Sequence, residues 1–126
     1  MSENAAPRLR YSDADLAEFR AIIEKKLTYA NDDLSFYRES LEKRAENPDS
    51  KVKGLDDGSS TAEVERLTTL AGRQQKLIKH LEAALTRIEK KAYGVCRETG
   101  VLIPKARLKA VPHATLSVEA KMARNA

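Results

Sequence analysis

Two long runs with apolar residues three and four apart dominate this chain, and they leave few architectures open to it. The first begins at Ser12-Asp13-Ala14-Asp15, an N-cap followed by an acid at the third helical position. Beyond it, Leu16, Phe19, Ile23, Leu27, Ala30, Leu34, Tyr37 and Leu41 recur at the spacing of a coiled-coil seam. No Gly or Pro intervenes before Pro48, so the spacing predicts one helix from about 13 to 46, on the order of 50 Å long. The second run opens at Ser60-Thr61-Ala62-Glu63, which has the form of a capping box. Its seam is Val64, Leu67, Ala71, Gln74, Ile78, Leu81, Leu85, Ile88 and Ala92, broadened by Leu70, Leu77 and Ala84. Gly72 inside it costs about 1 kcal/mol relative to Ala and marks a bend or a close approach. Between the runs, Pro48, Gly54 and Gly58 break helix continuity in a polar stretch. Two such helices joined by so short a connection form an antiparallel hairpin.

After the second run comes a different kind of segment. Residues 93–121 follow the outline of a four-cysteine zinc finger, in which two pairs of thiolates, each on a tight knuckle, close a tetrahedron. Here the first pair of positions holds Cys96 and Thr99, and the second holds Ser117 and Ala120. One soft ligand of four is present. Neutral hydroxyls are poor zinc donors, so zinc is expected to be absent. Apolar contacts among Val95, Val101, Ile103, Leu108, Leu116 and Val118 are expected to take the metal's place. Ser117 suits the N-cap of a short terminal helix running to about Arg124. Residues 101–103, Val-Leu-Ile, read as a strand-like run.

The frame around those positions is Tyr93, Gly94, Cys96, Gly100, Ile103, Pro104, Arg107, Leu108, Ala110 and Pro112, with Ala114 and Leu116 following. It resembles the DksA/TraR family of bacterial transcription regulators, and the Cys-Thr-Ser-Ala pattern is similar to the zinc-free branch of that family. The resemblance implies a mainly helical fold: a long coiled-coil hairpin carrying a degenerate zinc-finger-like knuckle and a C-terminal helix. The expected division is a loose arm over 1–11, the hairpin over 12–92 with its tip at about 47–60, and the knuckle with its helix over 93–126. Family members bind RNA polymerase and insert the hairpin tip into its secondary channel. Their tips carry an Asp-x-x-Asp-x-Ala motif, for which the nearest equivalents here are Asp56, Asp57, Ser59 and Ser60. Arg73 and Arg107 match family positions that contact polymerase. Members that respond to guanosine tetraphosphate, the effector of the stringent response, use basic residues at three places. Those places hold His80, Val111 and Lys121, so the resemblance implies nucleotide contacts at His80 and Lys121 alone.

Charge divides the chain in the same way. From Arg87 to Arg124 there are nine Lys and Arg against three Glu, whereas Glu46 to Asp57 holds four acids against two lysines. The two ends therefore suit different partners. Tyr93 is the one aromatic in the basic segment, too few for base stacking, and no helix-turn-helix is evident, so sequence-specific DNA binding is not expected. His80 and His113 have no Ser, Cys or carboxylate at a catalytic spacing, so no enzyme is expected. No apolar run approaches the ~18 residues of a membrane span, the first ten residues lack a secretory core, and one cysteine forms no internal disulfide; a cytoplasmic monomer is expected. Two rival readings make different predictions. A coiled-coil adaptor would oligomerise through its seam, and a nonspecific nucleic-acid binder would show steep salt dependence on naked DNA.

Overall fold

The computed structural model describes residues 10–46 and 57–125, the side chains of Glu46 and of residues 57–60 excepted. Four helices account for most of it: α1 (Asp13–Glu46), α2 (Asp57–Glu89), α3 (Lys105–Ala110) and α4 (Val118–Asn125). The backbone clusters into two compact units. One holds residues up to Lys26 and from His80 onward; the other holds Leu27–Lys79. Both long helices run through both units, so the division cuts each helix instead of falling at residue 92.

α1 starts where its cap predicts. The Ser12 hydroxyl accepts the Asp15 N–H at 3.1 Å, and Asp13 and Asp15 place negative charge against the helix N-terminus. α2 starts earlier than its capping box, at Asp57, with Gly58 already helical. Glu63, expected to reach back to the cap, instead accepts two hydrogen bonds from the Arg66 guanidinium at 3.2 and 2.8 Å. α2 also stops earlier than the seam implied. Lys91 adopts φ 60°, its N–H bonding Ile88 O and the Ala92 N–H bonding Arg87 O, which is a Schellman closure. Ala92 therefore leaves the seam and is exposed.

In the Leu27–Lys79 unit, Ala30, Leu34 and Ile78 form a buried cluster flanked by Leu27, Ala71 and Leu77. Further along, the charge of Arg44 acts on Glu63, and Arg66 lies in the field of Tyr37. Rising numbers on α1 meet falling numbers on α2, so the pair is antiparallel. Gly72 makes no close approach: a Cβ built there meets nothing within 4 Å. Gly72→Ala is accordingly expected to stabilise the chain by about 0.5–1 kcal/mol, seen as a raised urea midpoint. An unchanged or lowered midpoint would mean that the helix needs a bend at this residue.

The other unit is built on aromatics. Tyr11, Phe19 and Tyr93 form a chain with ring centroids 5.4 and 5.2 Å apart. Ile23, Leu81, Ala84, Ile88, Ile103 and Leu108 complete the core. Tyr11 does not belong to a loose arm; it is buried, and its hydroxyl donates to the Ile103 carbonyl. Gly94 must be glycine on two counts. Its φ is +81°, and a Cβ there would sit 2.7 Å from the Tyr11 ring.

Candidate functional site

The knuckle folds around backbone hydrogen bonds. Gly100 N–H donates to Cys96 O, Cys96 N–H to Val101 O and Ile103 N–H to Gly94 O, each at 2.7 Å. Gly100, at φ +76°, makes the tight reversal. The Val-Leu-Ile run forms no strand beyond a single antiparallel bridge from Leu102 to Val95. Pro104 then starts α3, a helix absent from the sequence expectation although a proline at its threshold is an ordinary start signal. Tyr93 ties the knuckle to the next loop by donating its hydroxyl to Pro112 O at 2.7 Å. Burial raises that hydroxyl to about 12, so it stays neutral.

The two half-pairs of ligand positions have acquired other work. The Ser117 hydroxyl accepts the Ala120 N–H at 3.2 Å and caps α4, while the Ser117 N–H points at the Cys96 sulfur, 3.4 Å away. Ala120 has no donor atom to offer, and Thr99 and Ser117 offer neutral hydroxyls. This set does not fit a tetrahedral zinc ion. Nor do the described residues contain any cluster of three or more His, Cys, Asp and Glu suited to a metal. The apolar filling differs in part from the expected one. Ile103 and Leu108 are buried, and Val95 and Leu116 are half-buried, but Val101 and Val118 are exposed. Cys96, Ala114 and Ala120 take the interior places instead, because the knuckle turns inward on its small residues.

Cys96 keeps the electrostatics of a ligand. Burial opposes its ionisation, but hydrogen bonds from the Thr99 hydroxyl and from the N–H groups of Ser117, Thr99 and Glu98 outweigh it, bringing the thiol from 9.0 to about 6. A folded value below the unfolded one stabilises the fold most at high pH, and the benefit is lost as pH falls through the folded value. Melting temperature is thus expected to rise between pH 6 and pH 9, the interval separating those two values. Cys96→Ser should lose most of that rise. Equal slopes in the two proteins would show that the thiol does not ionise in the fold.

Eight of the nine cations of the basic segment fall into two groups. Lys91, Lys105, Lys109 and Arg124 sit against Asp13, Asp15, Glu18 and Glu98 at 2.7, 2.8, 3.6 and 4.0 Å. These pairs are largely exposed; the Lys91 and Lys105 hydrogen bonds hold Asp13 and Asp15 below the usual carboxylate range. Arg87, Arg97, Arg107 and Lys121 instead line a cavity of about 380 Å³, together with His80, Val111, His113, Ala114, Thr115 and Leu116. None of these four cations pairs with a described carboxylate. The His80 and His113 rings stack, 5.5 Å apart and 12° from parallel.

His80 and Lys121, far apart in sequence, therefore meet at one site, where Val111 also lies. Arg107 joins them, its Nε donating to Leu116 O at 2.9 Å. Arg87, Arg97 and His113 also line the cavity, although the sequence gives none of them a nucleotide contact. Arg87 follows His80 by two helical turns, which was the available signal. Arg73 is exposed on α2 in the Leu27–Lys79 unit. Of the tip residues, Asp56 lies outside the described residues. Asp57, Ser59 and Ser60 fall in the first turn of α2, with side chains outside the described set.

The sequence pattern of the prokaryotic dksA/traR C4-type zinc finger matches residues 91–125. The chain is 34% identical over 110 residues to the RNA polymerase-binding transcription factor DksA of Caulobacter vibrioides, covering 87% of this chain and 75% of that one. It is 30% identical over 111 residues to the factor of the same name from Escherichia coli, covering 87% and 71%. The structure of transcription factor DksA2 from Pseudomonas aeruginosa superposes with a TM-score of 0.82 at 27% identity, over 96% of this chain and 92% of that one. With its knuckle, its paired long helices and this extent of matching, the chain belongs to the DksA/TraR family.

Proposed function

We propose that this chain is a transcription regulator that binds bacterial RNA polymerase and inserts the bend between α1 and α2 into the secondary channel to adjust initiation. The observation that carries the reading is the likeness to a factor named for polymerase binding over most of both chains. The matching fold of DksA2 supports it. Regulation of this kind needs no covalent chemistry, and the relatives are transcription factors. Promoter sequence is not read. Because Ile23, Leu34, Leu67 and Leu81 are buried within the chain, its seam is spent internally and the protein acts as a monomer. Its place of work is wherever polymerase is, the cytoplasm. No helix of the described residues is long and apolar enough to cross a membrane.

Arg73 and Arg107 are assigned to polymerase contact. Guanosine tetraphosphate is assigned to the cavity at His80 and Lys121, with cations that the family pattern does not require. The knuckle is assigned to the zinc-free branch. On that assignment the purified protein contains no stoichiometric zinc, and a strong chelator leaves its melting temperature unchanged. A fall of several degrees on chelation would place it among the metal-dependent members.

The test of the main reading is co-purification of the chain with bacterial RNA polymerase, followed by displacement with another secondary-channel factor. Failure to bind the enzyme, or binding that the competitor does not touch, removes it.

A further inference from the structure

The seam of α1 is spent on α2, but the helix carries a second apolar row that is not. Ile22, Tyr29 and Phe36 follow one another at seven-residue intervals, about 120° around α1 from the buried Ile23, Ala30 and Leu34. Tyr29 is 59% exposed and Phe36 62%, whereas the other large apolar side chains of this helix are buried or half-buried. The Phe36 ring leans on Tyr37, with centroids 5.9 Å apart, and is left uncovered on its outer side.

Charges are set between these apolar residues in a definite order. Lys25 and Asp32 flank the row on one side, and Lys26 and Asp33 flank it on the other; all four are exposed. The whole set lies within about four turns of one continuous helix, so helical periodicity alone puts it on one face. None of the four charges forms an ion pair among the described residues. Each Lys stands about 10 Å along the axis from the Asp on its own flank, too far to reach it.

The order is self-complementary. When a second copy is laid antiparallel on the first, with a two-fold axis at Tyr29, the two Tyr29 rings meet and Ile22 of each copy meets Phe36 of the other. Lys25 then faces Asp32 of the other copy and Lys26 faces Asp33, twice over by symmetry. Parallel pairing would set Lys on Lys and Asp on Asp, which repels. A wholly basic or wholly acidic partner would satisfy half of these charges. A second copy satisfies them all.

We propose that the outer face of α1 is a self-association surface, on which Ile22, Tyr29 and Phe36 pair antiparallel with the same residues of a second copy. The contact is about 20 Å long and buries less than the roughly 1,200 Å² of a stable specific interface, so the pair is reversible and forms at high concentration. The regulator proposed above is the dissociated form. Self-association concerns the free chain and stands or falls independently of polymerase binding.

The test is sedimentation equilibrium of the full chain from about 1 µM to about 1 mM, over which the mass is expected to rise from monomer toward dimer. Lys25→Asp/Lys26→Asp and Asp32→Lys/Asp33→Lys should each weaken pairing about tenfold or more, because each sets like charges face to face. An equimolar mixture of the two variants should recover at least wild-type affinity, a rescue that a general loss of stability does not produce. Tyr29→Ala/Phe36→Ala should abolish pairing. Should a charge variant fail to fold, Tyr29→Cys decides: a residue on the two-fold axis faces its own copy, so mild oxidation joins two chains by a disulfide. Glu42→Cys, which lies off this face, should not be joined. A monomer throughout the concentration range, a dimer indifferent to the charge variants, no recovery on mixing, or equal cross-linking at both positions overturns the proposal. So does a wild type that stays monomeric while Tyr29→Ala/Phe36→Ala loses polymerase, which assigns the face to the enzyme.

Discussion

Phe19→Ala is expected to cost about 3–5 kcal/mol, the usual price of emptying a packed aromatic site. Phe19 is 1% exposed and touches both Tyr11 and Tyr93 edge-on or tilted, so the substitution opens a void between α1 and the knuckle. Neither tyrosine is free to collapse into that void. The Tyr11 hydroxyl is tied to Ile103 O and the Tyr93 hydroxyl to Pro112 O. Since domains of this size have stabilities of about 5–15 kcal/mol, the loss should bring unfolding close to growth temperature. Chemical denaturation followed by near-ultraviolet circular dichroism of the tyrosines reads it directly. Phe19→Leu, which keeps most of the volume, should lose clearly less. A cost below about 1 kcal/mol for the alanine variant would mean that the aromatic chain does not hold the unit together.

The second large effect is functional. Asp56→Asn/Asp57→Asn is expected to abolish the change in transcription that the chain produces, with polymerase affinity altered less than about threefold. Asparagine keeps the shape of aspartate and removes its charge. Carboxylates act on a bound Mg²⁺ or on incoming nucleotide through their field, so the neutral pair leaves nothing to act with. Binding, in contrast, is assigned to Arg73 and Arg107, which the variant does not touch. Single-round transcription in vitro and a polymerase binding assay separate the two properties. Normal regulation by the double variant would remove the two aspartates from the mechanism.

Much of the architecture is legible in the sequence. The three-four spacing of Leu16 through Leu41, between the Ser12 cap and Pro48, forecasts a helix from about 13 to 46, and α1 runs Asp13–Glu46, because pattern, cap and breaker are local properties of the chain. Ser117 was legible as the cap of α4 for the same reason. The limits of α2 were not. It starts at Asp57, ahead of the Ser60 box, and its end depends on Lys91 entering a left-handed conformation that glycine usually takes. Lys91 is supported there by an ion pair with Asp13, a partner 78 residues away.

The functional surface shows the same boundary between local and distant. Residue identities by themselves determined the helical seams, the loss of the four-cysteine donor set and the excess of positive charge after Arg87. Only the tertiary structure decided which charges cancel and which collect: Lys91, Lys105, Lys109 and Arg124 are drawn to carboxylates, while Arg87, Arg97, Arg107 and Lys121 converge on a cavity beside two stacked imidazoles. Helix pattern is written in neighbours three and four apart, whereas an electrostatic site sums charges brought together from distant segments, and that sum exists only once the chain has folded.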